Sequence, residues 1–238
     1  MRLLLTRPRP EAERTAIALR ALGHEALFAP MLDIQNLRDV SFEGGPWSAL
    51  LMTSGNAARA LAEHPQRETL KHLRCFAVGN QTAQAAHAAG CADIFSAQGD
   101  GGDLARLVAK EVADKSRPLL YLAGDDRARD MAAELAPAGF TLQTVVVYRA
   151  VAAQEFGREL ATALVAGTID GVLHYSRRST EIFVGCAQKS GALEAVRKLR
   201  HFCLSPRASE PLSEVGAMQI FVAARPDEQA MLDLIAKK

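Results

Sequence analysis

Small hydroxyls, glycines and arginines gather in short polar stretches that directly follow apolar runs. They are Thr6, Arg7, Thr53, Ser54, Asn56, Gly79, Thr82, Gly124, Ser176, Arg177, Ser205, Pro206 and Arg207. Residues of this kind let backbone N–H groups approach a ligand. Where a helix begins, those groups are unpaired and carry partial positive charge, which suits a carboxylate or phosphate. Arginines crowd the same turns: Arg7, Arg9, Arg127, Arg129, Arg177, Arg178, Arg207 and Arg225, with no lysine among them. The chain holds 21 Arg against 7 Lys, and a planar guanidinium matches a carboxylate better than an ammonium does. Two plainer readings stand beside this one. Ser, Thr and Asn are ordinary helix caps, and a GC-rich coding sequence raises Arg without any ligand.

Other chemistries find little support. Neither G-x-x-x-x-G-K-[ST] nor G-x-G-x-x-G occurs, so no nucleotide cofactor is expected. His24, His64, His72, His87, His174 and His201 show no metal-ligand spacing, and no metal is expected. A Ser–His–Asp set cannot be assigned from chain order, because triads are geometric. Tyr148 closes the apolar run Val145-Val146-Val147-Tyr148 and, taken alone, reads as a half-buried packing tyrosine. Cys75, Cys91, Cys186 and Cys203 lack C-x-x-C spacing and read as buried thiols in a reducing compartment.

The elements that hold these turns are strands and helices in alternation. Arg74-Cys75-Phe76-Ala77-Val78-Gly79-Asn80-Gln81-Thr82-Ala83 is the clearest unit: a buried strand, a glycine turn, and a helix capped by Asn80 or Thr82. Gly90 ends that helix. The same grammar gives strands over Leu3 to Leu5, Ala26 to Met31, Trp47 to Met52, Ala92 to Ala97, Leu119 to Ala123, Leu142 to Tyr148, Ile169 to Tyr175, His201 to Leu204 and Gln219 to Ala223. Helices are expected over Ala12 to Leu22, Ala57 to Ala62, Leu104 to Ala113 with Asp103 as cap, Arg127 to Ala136, Phe156 to Ala166 and Asp227 to Ala236. Asp33 to Pro46 is polar, broken by glycine and proline, and reads as a connector. Alternation of this kind means an α/β protein with parallel sheets.

An internal repeat is also present. Residues 1–34 and 117–148 are short strand–helix–strand blocks, and 47–113 and 169–238 are long ones. One short block and one long block make a five-stranded domain. Tandem and nested pairing both satisfy the pattern, and nesting makes one domain discontinuous. The chain of 238 residues has a net charge of +1 and is 49% hydrophobic, which disfavours nucleic-acid and membrane-surface partners. The leading apolar run is too short for a signal peptide, so the expected location is the cytoplasm.

Several pieces taken in order resemble the uroporphyrinogen-III synthase family over essentially the whole chain. They are Leu4-Leu5-Thr6-Arg7-Pro8, Met52-Thr53-Ser54-Gly55-Asn56-Ala57, Val78-Gly79-Asn80-Gln81-Thr82-Ala83, Val145-Val146-Val147-Tyr148, Tyr175-Ser176 and Leu204-Ser205-Pro206-Arg207. The resemblance implies two flavodoxin-like or Rossmann-like parallel-sheet domains with nested pairing. One is discontinuous, 1–34 plus 150–238, and the other is 37–148. Two strands near Leu32 to Leu37 and Tyr148 to Ala152 would form the hinge. The implied reaction is cofactor-free closure of hydroxymethylbilane, a linear tetrapyrrole rich in carboxylates. Ring A loses its hydroxyl to give an azafulvene, and the substituted carbon of ring D attacks to form a spiro intermediate. Fragmentation and re-closure leave ring D inverted, giving uroporphyrinogen III, whereas unaided closure gives isomer I.

By the same resemblance Tyr148 assists the leaving hydroxyl and Thr82 lines the cleft. Some members carry paired threonines where this chain has Arg207 and Ala208, so backbone N–H groups, Ser205 or Ser209 would act there. The implied partners are the substrate and, transiently, porphobilinogen deaminase, with the protein a monomer. Two rival readings share parts of the pattern. One is a non-enzymatic two-lobed binder of an anionic small molecule. The other is a flavodoxin-like redox protein, which needs loop aromatics that a 5% aromatic content scarcely supplies.

Overall fold

The computed structural model describes residues 1–126 and 130–237. Arg127 and Arg129, and the expected start of a helix at Arg127, lie outside the described residues. Contacts divide the chain into two units, 1–33 with 151–238, and 34–150. The chain passes from one to the other twice.

The first unit opens with β1 (Arg2–Leu5), α1 (Arg9–Ala21) and β2 (Glu25–Phe28). After the second unit it resumes with α7 (Arg158–Val165), β9 (Gly171–His174), α8 (Arg177–Lys189), α9 (Leu193–Lys198), β10 (Arg200–Cys203), α10 (Pro206–Glu214), β11 (Gln219–Val222) and α11 (Glu228–Ala236). The strands align in the order β11-β10-β9-β1-β2, and each neighbouring pair is parallel. Strand alternation decides which face each residue serves. Leu3 and Leu5 pack with Ala12, Ala16 and Leu19 of α1 and with Met231 and Ile235 of α11. Leu4 points the other way, to Phe183 and Ala187 of α8 and Val196 of α9. The sheet is buried on both faces, as parallel sheets are.

The second unit contains β4 (Leu50–Met52), α2 (Gly55–Ala62), α3 (Arg67–Leu70), β5 (Cys75–Val78), α4 (Gly79–Ala88), β6 (Ile94–Ala97), α5 (Gly101–Glu111), β7 (Leu119–Gly124) and α6 (Met131–Leu135). A 3-10 turn over Ala136–Ala138 follows α6. Two strands run across the unit boundary, β3 (Leu32–Asn36) and β8 (Leu142–Ala152). The sheet order is β3-β8-β7-β4-β5-β6. Leu50, Met52, Leu120 and Leu122 face α2 and α4. Leu51, Phe76, Leu119 and Tyr121 face α5 and α6.

In each unit the chain builds strands outward from one central strand, returns, and builds the other way. The reversal falls between β1 and β9 in the first unit and between β4 and β7 in the second. Ligands of open parallel sheets bind beyond the carboxyl ends of the strands at such reversals. The turns after β1, β9, β4 and β7 are therefore where a ligand would sit.

Several expectations need correction. Asp33 to Pro46 is not wholly a connector. Its start belongs to β3, next to β8, and the Leu37 N–H bonds to the Val147 carbonyl at 2.8 Å. Its side chains are mostly half-exposed, so composition alone reads it as a connector, whereas the resemblance implies a strand near Leu32 to Leu37. Likewise β8 does not stop at Tyr148, where the apolar run ends, but runs on to Ala152, over the second strand that the resemblance implies. Asp100, not Asp103, is the N-cap of α5, and Asp103 bonds back to it as the third residue of a capping box.

Candidate functional site

In the second unit the edge beyond β4 and β7 encloses a cavity of about 440 Å³, lined by Thr53, Ser54, Tyr121, Gly124 and Tyr148 among others. Thr53 Oγ1 and the Tyr121 hydroxyl share a 2.8 Å hydrogen bond. Ser54 caps α2 and accepts from the Asn56 N–H at 3.1 Å. The Asn56 carboxamide oxygen accepts in turn from Arg59.

Tyr148 is placed by an irregularity in the ladder. Ala123 pairs with Val146, but Gly124 pairs with Tyr148, so β8 carries one extra residue at Val147. A bulge of this kind re-aims the side chain that follows it. Val147 is buried in the core, and the Tyr148 ring lies across Gly124. A Cβ on Gly124 would fall 2.6 Å from Tyr148 Cζ and 2.7 Å from its hydroxyl oxygen. Gly124 is thus a space requirement and not a backbone one. No hydrogen bond to the Tyr148 hydroxyl occurs among the described residues, so the phenol is available to a ligand.

The helix start that follows β5 departs from expectation. Neither Asn80 nor Thr82 caps α4: the N-cap is Val78, and no side chain bonds its first turn. Asn80 Oδ1 instead accepts from Gln98 Nε2 at 3.0 Å and Ser96 Oγ at 3.3 Å. Thr82 is buried on the inner side of α4. Gly79 has φ of 73°, a left-handed conformation that L side chains rarely adopt. The N–H groups of this first turn are left for something other than the protein's side chains.

In the first unit Thr6 is fully buried, and its hydroxyl donates to the Leu173 carbonyl at 2.7 Å, tying β1 to β9. Ser176 caps α8 through the Ser179 N–H at 3.2 Å, and Ser205 caps α10 through the Ala208 N–H at 3.3 Å. Pro206 occupies the first helical position, where its missing N–H costs nothing. The arginines prove to be mostly committed to carboxylates. Arg7 pairs with Glu228 at 2.8 Å, Arg9 with Glu13 at 3.3 Å and Arg225 with Asp227 at 3.0 Å. Arg177 meets Glu181 at 2.7 Å, Glu210 and Glu214. Arg207 is exposed, and its side chain makes no ion pair or hydrogen bond among the described residues.

Three residues at these edges escaped the sequence reading, Thr15, Tyr121 and Glu228, and Tyr175 enters it only as the end of a strand and as part of the piece Tyr175-Ser176. The Arg177–Glu181 and Arg9–Glu13 pairs are i,i+4 and could have been read from spacing. Glu228 could not, because it lies 221 residues from Arg7. A larger hollow of about 550 Å³ opens at the opposite end of the first sheet, near Asp170, Arg200 and Gln219. It holds none of the candidates.

The model for the family described as uroporphyrinogen-III synthase HemD matches residues 13–233. The chain belongs to the uroporphyrinogen-III synthase family. As a member it is an enzyme, a lyase of tetrapyrrole biosynthesis whose substrate is a small tetrapyrrole. Among solved structures, the uroporphyrinogen-III synthetase of Helicobacter pylori is 15% identical, with a TM-score of 0.65 over 100% of this chain and 99% of that one. A mutant uroporphyrinogen III synthase from the extremely thermophilic bacterium Thermus thermophilus is 17% identical, with a TM-score of 0.53 over 100% and 98%. At such identities the likeness concerns the fold. Comparison with curated protein sequences gives no match. Among the described residues of this synthase-family chain, no three His, Cys, Asp or Glu side chains are grouped to hold a metal ion. No helix among them is long and apolar enough to cross a membrane.

Proposed function

We propose that this chain closes hydroxymethylbilane with inversion of ring D, giving uroporphyrinogen III. The observation that carries the reading is the family match over residues 13–233. The second unit's cavity supplies a fitting seat for the chemistry. Tyr148 presents a phenol that has no hydrogen-bond partner among the described residues, and it hydrogen-bonds to the ring A hydroxyl as that group leaves as water. The azafulvene is then attacked by the substituted carbon of ring D, and the spiro intermediate opens and re-closes. A flexible polycarboxylate must be held in the shape that favours this route over direct closure, so positioning is the main task.

The carboxylates are held by helix starts more than by arginines. The uncapped first turn of α4, and the remaining N–H groups of α2, α8 and α10, meet substrate carboxylates. Gly79, Ser54, Asn56, Ser176 and Ser205 shape those turns. Arg207 adds a charge in the turn where some members carry paired threonines. Thr6, Thr82 and Arg177 serve by holding the turns in place, since their side chains are enclosed or paired. The two chain passages at 33–34 and 150–151 act as the hinge between domains. The enzyme works as a cytoplasmic monomer that takes its unstable substrate from porphobilinogen deaminase.

A coupled assay tests the activity. Deaminase supplies hydroxymethylbilane, and the oxidised products are separated as isomers. Added protein should turn the product from isomer I to mainly isomer III. The proposal is falsified if the ratio stays that of the deaminase alone. Scattering profiles that superimpose with and without product would refute the hinge.

A further inference from the structure

Beyond β1 and β9 the first unit carries a polar cluster that the reaction, as described, does not use. Arg7 follows Thr6 directly after β1, and its guanidinium carbon lies 4.0 Å from the centroid of the Tyr175 ring. Arg7 Nη1 donates to Glu228 Oε2 at 2.8 Å and to Thr15 Oγ1 at 3.3 Å. The other carboxylate oxygen of Glu228 accepts from the Thr15 hydroxyl and, at 3.3 Å, from the Tyr175 hydroxyl. Thr15 comes from α1, Tyr175 from the end of β9 and Glu228 from the first turn of α11. Residues from α1 nearby in sequence and from two remote segments, the turn after β9 and α11, therefore converge on one guanidinium at the reversal of the sheet.

We infer that Glu228 is a positioning residue that holds Arg7 ready for a carboxylate of the substrate. This rests on the reading of these strand-end turns as the seat of the substrate's carboxylates. Arg7 is a long side chain with much rotamer freedom to lose on binding. Stacking on Tyr175 and bonding to Glu228 remove most of that freedom beforehand, which is where preorganisation raises affinity. Both of its hydrogen bonds run through Nη1, and no second carboxylate pairs with it among the described residues. The rest of the fork is the part that can meet an anion.

Glu228 could instead be a placeholder that gives way to the substrate. Its surroundings argue against that. The carboxylate is held by donors from three sides, and it sits at a helix start where negative charge is favoured. Its repulsion of a more distant anion is weakened by solvent, because the side chain is 42% exposed. Its bond to Arg7 is direct. Burial and the Glu228 charge push the Tyr175 phenol up to about 12, so Tyr175 stays protonated and keeps donating to Glu228 at any working pH.

Steady-state kinetics on Glu228→Gln separate the possibilities. The variant keeps the size but loses the charge that fixes Arg7 and one of the two acceptor oxygens. KM for hydroxymethylbilane should rise about tenfold with kcat little changed. Arg7→Met should raise KM similarly, and adding Glu228→Gln to it should raise KM no further. If Glu228→Gln melts early, Thr15→Val serves in its place, with a KM rise of about threefold that likewise disappears in the Arg7→Met background. A KM for Glu228→Gln within twofold of wild type, a fall in KM, or full additivity with Arg7→Met overturns the inference. An inactive wild-type protein would instead overturn the assigned reaction.

Discussion

At the residue scale, the contact between Tyr148 and Gly124 gives the sharpest contrast. Tyr148→Phe keeps the ring and removes a hydroxyl that bonds nothing among the described residues. Stability should change by about 1 kcal/mol or less. Turnover should fall clearly, with isomer III still the main product, because the azafulvene forms easily and the shape of the seat is intact. Gly124→Ala puts a methyl carbon where the phenol lies. It should cost about 1–3 kcal/mol and lower turnover more than Tyr148→Phe does. Denaturant titration and isomer analysis of both variants check this order. Turnover unchanged in Tyr148→Phe would leave the residue as packing.

The buried pair His174 and His201 sets a pH dependence. His201 Nε2 lies 2.8 Å from the Val196 carbonyl and so must carry a proton. His201 Nδ1 then accepts from His174 Nε2 at 3.1 Å, which leaves His174 Nδ1 bare and without a donor among the described residues. Burial, helped by the His201 charge, keeps His174 well below its ordinary value. Burial lowers His201 to about 4, against the Val196 bond, which acts upward. In the unfolded chain both titrate near 6.5. The unfolded state therefore binds more protons as pH falls, and the stability due to this pair is full above 6.5 and is lost towards 4. Melting temperature should drop between about pH 7 and 5, and His174→Leu with His201→Met should flatten that drop. A wild-type melting temperature that is level over this range contradicts the assignment.

At the scale of elements, most helix starts were legible. Ser54 and Asp227 each stand one residue before a helix and cap it, while Ser176 and Ser205, read as turn residues, cap α8 and α10, to which the sequence reading gave no bounds. The start of α4 was legible as a turn but not in its detail, because its capping candidates turn elsewhere. Short helices α3 and α9 left no periodic signal, having only four and six residues. The bulge in β8 was also hidden, since Val145, Val146 and Val147 look alike in sequence whichever face they serve. Two substitutions test what the starts do. Ser205→Ala should cost about 1 kcal/mol through a lost cap. Gly79→Ala should cost about 1–2 kcal/mol through its left-handed backbone. Nothing lies within 4 Å of the added methyl, so crowding adds nothing. Gly79→Ala should also raise KM more than Ser205→Ala, because it turns the open N–H groups of α4. Equal KM values for the two variants would remove α4 from the binding account.

At the scale of the whole molecule, the block pattern showed two parallel sheets but not how short and long blocks combine. Local periodicity carries no information about which distant strand sits beside which. Hydrogen bonds such as that from the Asp170 N–H to the Arg2 carbonyl and from the Ala153 N–H to the Met31 carbonyl fix the first unit's pairing. They join residues far apart in the chain. The arginine-rich turns illustrate the same limit, since the carboxylate on Arg7 comes from α11 and two of those on Arg177 come from α10. The central claim is that this one chain steers closure by shape. Preformed hydroxymethylbilane, given to the pure protein without deaminase, metal or nucleotide, tests it most directly. Uroporphyrinogen III should be the main isomer after oxidation and separation. An isomer I fraction equal to that of substrate left to close alone would contradict the account.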